Sequence, residues 1–242
     1  MNFVLDVHCH TISSGHAYST ISENAEHAAK IGMKYIGVSD HAPAMPGASC
    51  LYNFTNLWSL PDVIGGVRVF KGVECNILDE RGQLDLSTDL LAKMEFVIAS
   101  FHRGTFPPSD KATHTRAMIA AMENNRDMHI LGHPGDPFFE IDIPAVVSAA
   151  ARTHTIIEIN NQSLNPRCYR YNGSSVPEKI LELCKKIHVP VIASSDAHFA
   201  TYVGELGRAQ ALIEASGIDE ELVVNTSVER FLAAIAKKRE LF

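Results

Sequence analysis

Seven short runs rich in β-branched and aromatic residues, "FVLDVH", "YIGVSD", "VRVFKGVE", "EFVIASFH", "HILGH", "TIIEIN" and "VPVIASSD", recur along the chain with helix-like segments between them. Strand and helix in alternation build a parallel sheet, because two parallel strands need a crossover long enough to hold a helix. The runs are apolar at both parities, so each strand is covered on both faces. The pattern predicts an α/β fold, a closed or nearly closed (β/α) barrel. A chain of 242 residues is an ordinary length for one such domain, which is expected to span 1–242.

The segments between strands carry helix punctuation. Thr20 precedes Glu23 by three residues, and Thr226 precedes Glu229 likewise, each the pattern of a capping box. Gly32 is placed to stop the first helix after Ile31. Three longer connections stand out: 42–58, with two prolines and the composition of a lid; "LDERGQLD", read as a hairpin; and "QSLNPRCYRYNGSS", a loop after the sixth strand.

Metal-type residues end these strands in succession. His8 and His10 close the first, His41 follows the second, Glu74 closes the third, His102 the fourth, His133 follows the fifth, and Asp196 and His198 close the seventh, with His16 in the first loop. Alternate residues of a strand share a side, so His8 pairs with His10 and Asp196 with His198. The carboxyl ends of parallel barrel strands converge on one mouth. One histidine at a strand end is ordinarily a hydrogen-bonded structural residue. Seven with two carboxylates would form a costly polar cluster unless something satisfied it, which points to bound metal. The other histidines lack this placement: His129 begins its strand, and His27, His114, His154 and His188 lie on or beside helices. Cys9 and Cys75 neighbour candidate ligands, but parity turns them away.

Composition narrows the partners. The formal charge is -7, and no basic block exceeds Lys237 to Arg239, which argues against a long nucleic acid or an anionic membrane surface. No leader-like segment or span of membrane length is evident. Five cysteines without a C-x-x-C pair suit free thiols and a cytoplasmic setting.

With those residues placed, "DVHCHT", "SDHAP", "GVECNI", "ASFH", "LGHPGDP" and "SSDAH" resemble, in order and spacing, the motif series of the PHP (polymerase and histidinol phosphatase) family. "HAYST" and "DKATHTRAMI" are similar to its YcdX-type bacterial phosphatase branch. The resemblance implies a distorted (β/α)7 TIM-like barrel holding three divalent metal ions, zinc by the usual assignment, with manganese or iron as alternatives. It implies that His8, His10, Glu74 and Asp196 hold one ion, that Glu74 bridges to a second completed by His102 and His133, and that His16, His41 and His198 hold the third. Glu74, Asp196 and His198 are the residues on which turnover would depend.

Three divalent ions against two carboxylates leave about +4 at the mouth, an anion-seeking pocket in an acidic chain. A hydroxide between two ions is a nucleophile at neutral pH, which is the chemistry of phosphomonoester hydrolysis. The expected partner is a small phosphorylated substrate, and the oligomeric state, including a homo-oligomer, stays open. Arg103, Arg167 and Lys111 are candidate anchors, and Asp6 and Asp40 either orient histidines or cap turns. Three alternatives remain. An amidohydrolase-like enzyme also begins with H-x-H but commonly supplies a lysine at the fourth strand, where "FVIASFH" offers His102. The others are a nuclease and a metal-binding module without turnover.

Overall fold

The computed structural model describes residues 1–241. Strands β1 (Leu5–Asp6), β2 (Tyr35–Val38), β3 (Val63–Ile64), β4 (Val67–Asn76), β5 (Phe96–Ser100), β6 (Ile130–Leu131), β7 (Ile156–Asn160) and β8 (Val191–Ser194) run in spatial order β1-β2-β4-β5-β6-β7-β8. Those seven pair in parallel, and the short β3 adds an antiparallel flank to β4. Around them lie α1 (Ile21–Lys30), α2 (Leu51–Thr55), α3 (Thr88–Leu91), α4 (Lys111–Asn124), α5 (Ile143–Thr153), α6 (Ser175–Ile187), α7 (Gly207–Ser216) and α8 (Val228–Arg239).

Among the described residues no ladder joins β8 to β1, and side chains close most of that seam. Asn225 accepts the Ala193 N–H at 3.3 Å and donates to the carbonyls of Ala193 and Leu5 at 3.1 and 3.4 Å. Asp6 accepts the Ser195 N–H at 3.1 Å. Nearer the mouth, a parallel bridge pairs Cys9 with Ala197. This is the distortion in an otherwise regular barrel: backbone pairing across the last gap is confined to the mouth, where His10 N and Ala197 N donate to the carbonyls of Ala197 and His8 at 2.8 and 3.2 Å, and below it an amide side chain spans the strands.

Apolar side chains fill the lower barrel. Leu5, Val7, Phe70, Phe96, Ile98, Ile130, Ile156 and Ile192 form one buried cluster, plugged by Phe231 and Ile235 of α8. Phe96 fits because Gly37 and Gly72 face it; a Cβ on Gly37 would lie 2.6 Å from its Cζ, and one on Gly72 would collide with its ring. The inward-facing polar residues of the strands, such as Glu74, Ser100 and Glu158, therefore lie above this layer, toward the carboxyl ends.

The helix signals hold at α1, where Thr20 and Glu23 form a reciprocal capping box and Gly32 follows at φ 80°. At α8 the expected box is displaced. Ser227 caps the helix by accepting from the Arg230 N–H, while Thr226 donates its hydroxyl to the Val223 carbonyl. The "LDERGQLD" stretch does fold back on itself, with an antiparallel bridge between Ile77 and Leu84.

Candidate metal centre

Glu74 sits at the middle of the mouth with imidazoles around both carboxylate oxygens. Oε2 lies 3.3 Å from His8 Nε2, 3.5 Å from His10 Nε2 and 2.8 Å from His41 Nδ1. Oε1 lies 3.2 Å from His102 Nε2 and 2.9 Å from His133 Nε2. Asp196 Oδ1 is 3.2 Å from His10 Nε2, 3.6 Å from His8 Nε2 and 3.5 Å from His198 Nδ1. His16 Nε2 reaches His198 Nε2 at 3.1 Å, and its ring stacks on His41 with centroids 4.9 Å apart. All nine residues singled out in the sequence thus meet in one place.

How they arrive there differs. On β4 and β5, regular alternation carries Phe70, Gly72 and Glu74, then Ile98, Ser100 and His102, up the inner face. Parity alone does not explain the others. Val7 and His8 both face inward, so the alternation breaks where β1 ends. His133 and Asp196 take positive φ, 27° and 56°, which non-glycine residues adopt at a cost. Cys9 and Cys75 are buried in the layer between barrel and helices, away from the mouth.

Hydrogen-bond accounting fixes several tautomers. Asn76 uses its amide nitrogen on Asp85 Oδ2 and the Ala42 carbonyl, so its oxygen must accept from His102 Nδ1–H at 2.8 Å. Ser14 Oγ gives its proton to Asp40 Oδ1 at 2.7 Å, so it accepts from His10 Nδ1–H at 2.9 Å. Glu158 Oε1 accepts from His8 Nδ1–H at 2.6 Å. The Nε2 lone pairs of His10 and His102 therefore point at carboxylate oxygens, acceptor against acceptor.

Five buried atoms at this spot, His8 Nε2, His10 Nε2, His41 Nδ1, His102 Nε2 and Glu74 Oε2, have no hydrogen-bond partner. A cation is what such an arrangement lacks. Two donors bound to one tetrahedral ion at about 2.05 Å stand about 3.3 Å apart, close to the separations seen here. Four trios bring donor atoms within 4.8 Å of one another: His8–His10–Asp196, His8–Glu74–His133, His41–Glu74–His102 and His10–His41–His198. A nitrogen and carboxylate donor set of this kind fits zinc, iron or manganese.

The charge states suit cation binding. Burial raises the Glu74 carboxyl, but His102, His8 and His41 outweigh it and hold the group well below the usual carboxylate range. Asp196 is likewise held low, burial being outweighed by Arg170, His8 and His10. Burial with His198 and His41 pushes His10 well down. Burial chiefly lowers His102, and burial with His41 and His198 takes His16 down to about 4. Burial opposes protonation of His8, yet Glu158, Glu74 and Asp196 together raise it well above the ordinary histidine value. A proton on His8 and a divalent ion compete for one position, so binding there releases a proton.

Residues 6–164 match the model of the PHP domain, and residues 178–239 match that of a PHP-associated region. The chain belongs to the PHP family. A protein named "Probable phosphatase" in Acetivibrio thermocellus is 42% identical over 241 residues, 99% of this chain and 98% of its own. Another of that description, in Thermoanaerobacter sp. strain X514, is 45% identical over 240 residues, 99% and 97% of the two chains. The crystal structure of histidinol phosphate phosphatase from Lactococcus lactis, complexed with zinc, L-histidinol and phosphate, shares the fold. Its TM-score is 0.67 at 17% identity, over 89% of this chain and 94% of that one.

The secondary candidates separate. Asp40 does orient a histidine, through Ser14, and also takes the Thr11 N–H and hydroxyl at 2.6 and 2.7 Å. Asp6 instead caps turns, accepting from Ser195 N and Gly204 N. Arg167 lines the mouth cavity. Lys111 lines a separate cleft with Asp136, Glu140 and Val176. Of the 42–58 segment, Met45 is the residue that lines the mouth.

Sequence reasoning overlooked Glu158, Asn76 and Arg170. Glu158 was visible as a lone acid inside "TIIEIN", where a buried carboxylate needs a reason. Arg170 is buried in the loop after β7 and pairs with Asp196 Oδ2, which Asn160 Nδ2 also approaches at 3.2 Å.

Proposed function

We propose that the protein is a metal-dependent phosphoesterase that hydrolyses the phosphomonoester of a small metabolite at this mouth. The observation that carries the reading is the set of orphaned imidazole and carboxylate atoms facing one another around Glu74. The names of the full-length relatives, and the phosphate and zinc in the Lactococcus lactis protein of the same fold, support the choice of reaction.

Three ions, zinc first, would be held by His8, His10, Glu74 and Asp196; by Glu74, His102 and His133; and by His16, His41 and His198, although the donor trios of the structure group His133 with His8 and His102 with His41 about Glu74 and leave His16 outside them. Such ions supply positive charge to phosphoryl oxygens and acidify water enough to make a nucleophile at neutral pH. The chain's own residues hold them. Glu158, Asn76 and Ser14 each fix a histidine with its lone pair inward, and Glu74 and Asp196 stay ionised in a buried setting. Arg170 and Asn160 hold Asp196 Oδ2, leaving Oδ1 to the histidines. No lysine lines the mouth among the described residues, which sets aside a carbamate-bridged amidohydrolase centre.

The test pairs metal content with hydrolysis of an aryl phosphate before and after stripping. Two to three ions per chain, with turnover lost on stripping and restored by zinc or manganese, support the reading. Unchanged turnover in a folded Asp196→Ala variant overturns it.

A further inference from the structure

The mouth opens into a cavity of about 400 Å³, whose floor includes Glu74, Asp196, His102 and His133 and whose wall is the segment after β7. That volume lies in the range that encloses a whole small molecule rather than a phosphate alone. Two arginines line it, Arg167 and Arg170. Arg170 is buried and engaged on every side. It pairs with Asp196, donates from Nε to Ser163 Oγ at 3.1 Å, and reaches the Tyr169 hydroxyl at 3.3 Å. Arg103, nearby on the rim, pairs with Asp136 at 3.4 Å and lies against the rings of Phe138 and Tyr169, 4.6 and 4.8 Å from their centroids.

Arg167 is different. Its backbone N–H is tied to Asn165 Oδ1 at 3.1 Å, and Cys168 N donates to the Asn165 carbonyl at 2.8 Å, so the turn that carries it is defined. Yet Arg167 is an exposed residue, and its guanidinium makes no hydrogen bond or ion pair among the described residues. A defined turn thus presents one uncompensated planar cation to the cavity, above a floor suited to a phosphoryl group. Guanidinium in that role matches a carboxylate or phosphate by two parallel hydrogen bonds.

We propose that Arg167 receives a second anionic group on the substrate, so that the preferred substrate class is a small phosphomonoester whose far end carries a carboxylate or a second phosphate. The inference rests on the phosphoesterase reading and narrows it.

Three esters of one carbon skeleton test it on the metal-loaded protein: glycerol 3-phosphate with an uncharged tail, 3-phosphoglycerate with a carboxylate, and glycerol 1,3-bisphosphate with a second phosphate. The wild type is expected to favour one or both acidic-tailed esters by about tenfold in kcat/KM. Arg167→Met should abolish that preference through KM rather than kcat, since the guanidinium touches the tail and not the reacting atoms, and Arg167→Lys should restore part of it. Whichever acidic ester loses its advantage identifies the tail as carboxylate or phosphate. Turnover of all three esters with ratios that Arg167→Met does not move overturns this inference and leaves the phosphoesterase reading standing. Turnover of none by metal-loaded wild type, with no hydrolysis of an aryl phosphate either, overturns both.

Discussion

Glu158 holds two of the mouth's histidines at once: Oε1 takes the Nδ1 hydrogen of His8 at 2.6 Å, and Oε2 takes the backbone N–H of His133 at 2.6 Å. Ser194 donates its hydroxyl to Oε1, and Asn160 Nδ2 approaches Oε2 at 3.2 Å. The carboxylate is buried, and burial alone would raise its pKa; His8 and His133 outweigh that and hold it below the usual value. Its acceptor capacity is satisfied by donors from β8, β7 and the two histidine segments.

Replacing that carboxylate should loosen metal without unfolding the barrel. Glu158→Gln keeps the shape but turns half of the group into a donor, which clashes with either His8 Nδ1–H or the His133 N–H. Loss of such an outer partner ordinarily lowers metal affinity about 10- to 100-fold. Zinc retention against a graded chelator series measures this, with circular dichroism as the control for folding. Affinity within twofold of wild type would show that Glu158 serves stability alone.

Ser14 plays the corresponding part on the opposite side. Its hydroxyl accepts from His10 Nδ1–H at 2.9 Å and from His41 N at 3.1 Å while donating to Asp40. Ser14→Ala leaves a buried ring N–H and a buried backbone N–H without acceptors, a cost of about 1–3 kcal/mol each where water cannot enter. The expected result is a lower metal stoichiometry, with thermal stability in chelator reduced by less than that sum because the rings can rotate. Ser14→Thr, which keeps the hydroxyl, should recover most of the metal.

The parts of the site that sequence made legible are those where the backbone is regular. Glu74 and His102 could be placed on the inner face because β4 and β5 alternate without interruption from Phe70 and Phe96 upward. His8, His133 and Asp196 reach the same face through a break in alternation or through positive φ, which no residue pattern announces. Convergence at strand ends was therefore a sounder guide than parity. The outer layer was harder, since an acid within an apolar strand such as Glu158 has no spacing signature, and an arginine such as Arg170 is one of several in its loop. The seam shows the same limit: nothing in "VVNTS" indicates that Asn225 stands in for a missing ladder.

Barrel packing makes a prediction independent of metal. Gly72 lies on the inner face against Phe96, and a methyl group there has no space. Gly72→Ala should destabilise the protein by about 1–3 kcal/mol, as overpacking of a filled core does. Combining it with Phe96→Leu should restore part of the loss, giving a coupling of at least about 0.5 kcal/mol in a double-mutant cycle followed by urea unfolding. Strict additivity of the two changes would mean that the ring and the glycine do not share one space.

At the opposite end of the barrel, His129 gives the stability a definite pH dependence. Burial, with Arg239 and Lys238 nearby, pushes its pKa down to about 3, and its Nδ1 accepts the Val97 N–H at 3.0 Å. The unfolded chain takes up a proton near pH 6.5 whereas the folded chain does not until about pH 3. The stabilisation is therefore fully present above pH 6.5 and declines as pH falls between those values, by about 1.4 kcal/mol per unit. Between pH 7 and pH 5 the histidine accounts for about 2 kcal/mol of lost stability. His129→Asn keeps an acceptor for Val97 but cannot titrate, so its urea midpoint should fall less over that interval, by the equivalent of about 2 kcal/mol. Both proteins are compared in chelator, so that the mouth histidines titrate alike in each and cancel. Equal pH slopes for wild type and variant would mean that His129 takes up its proton in the folded state as readily as in the unfolded one.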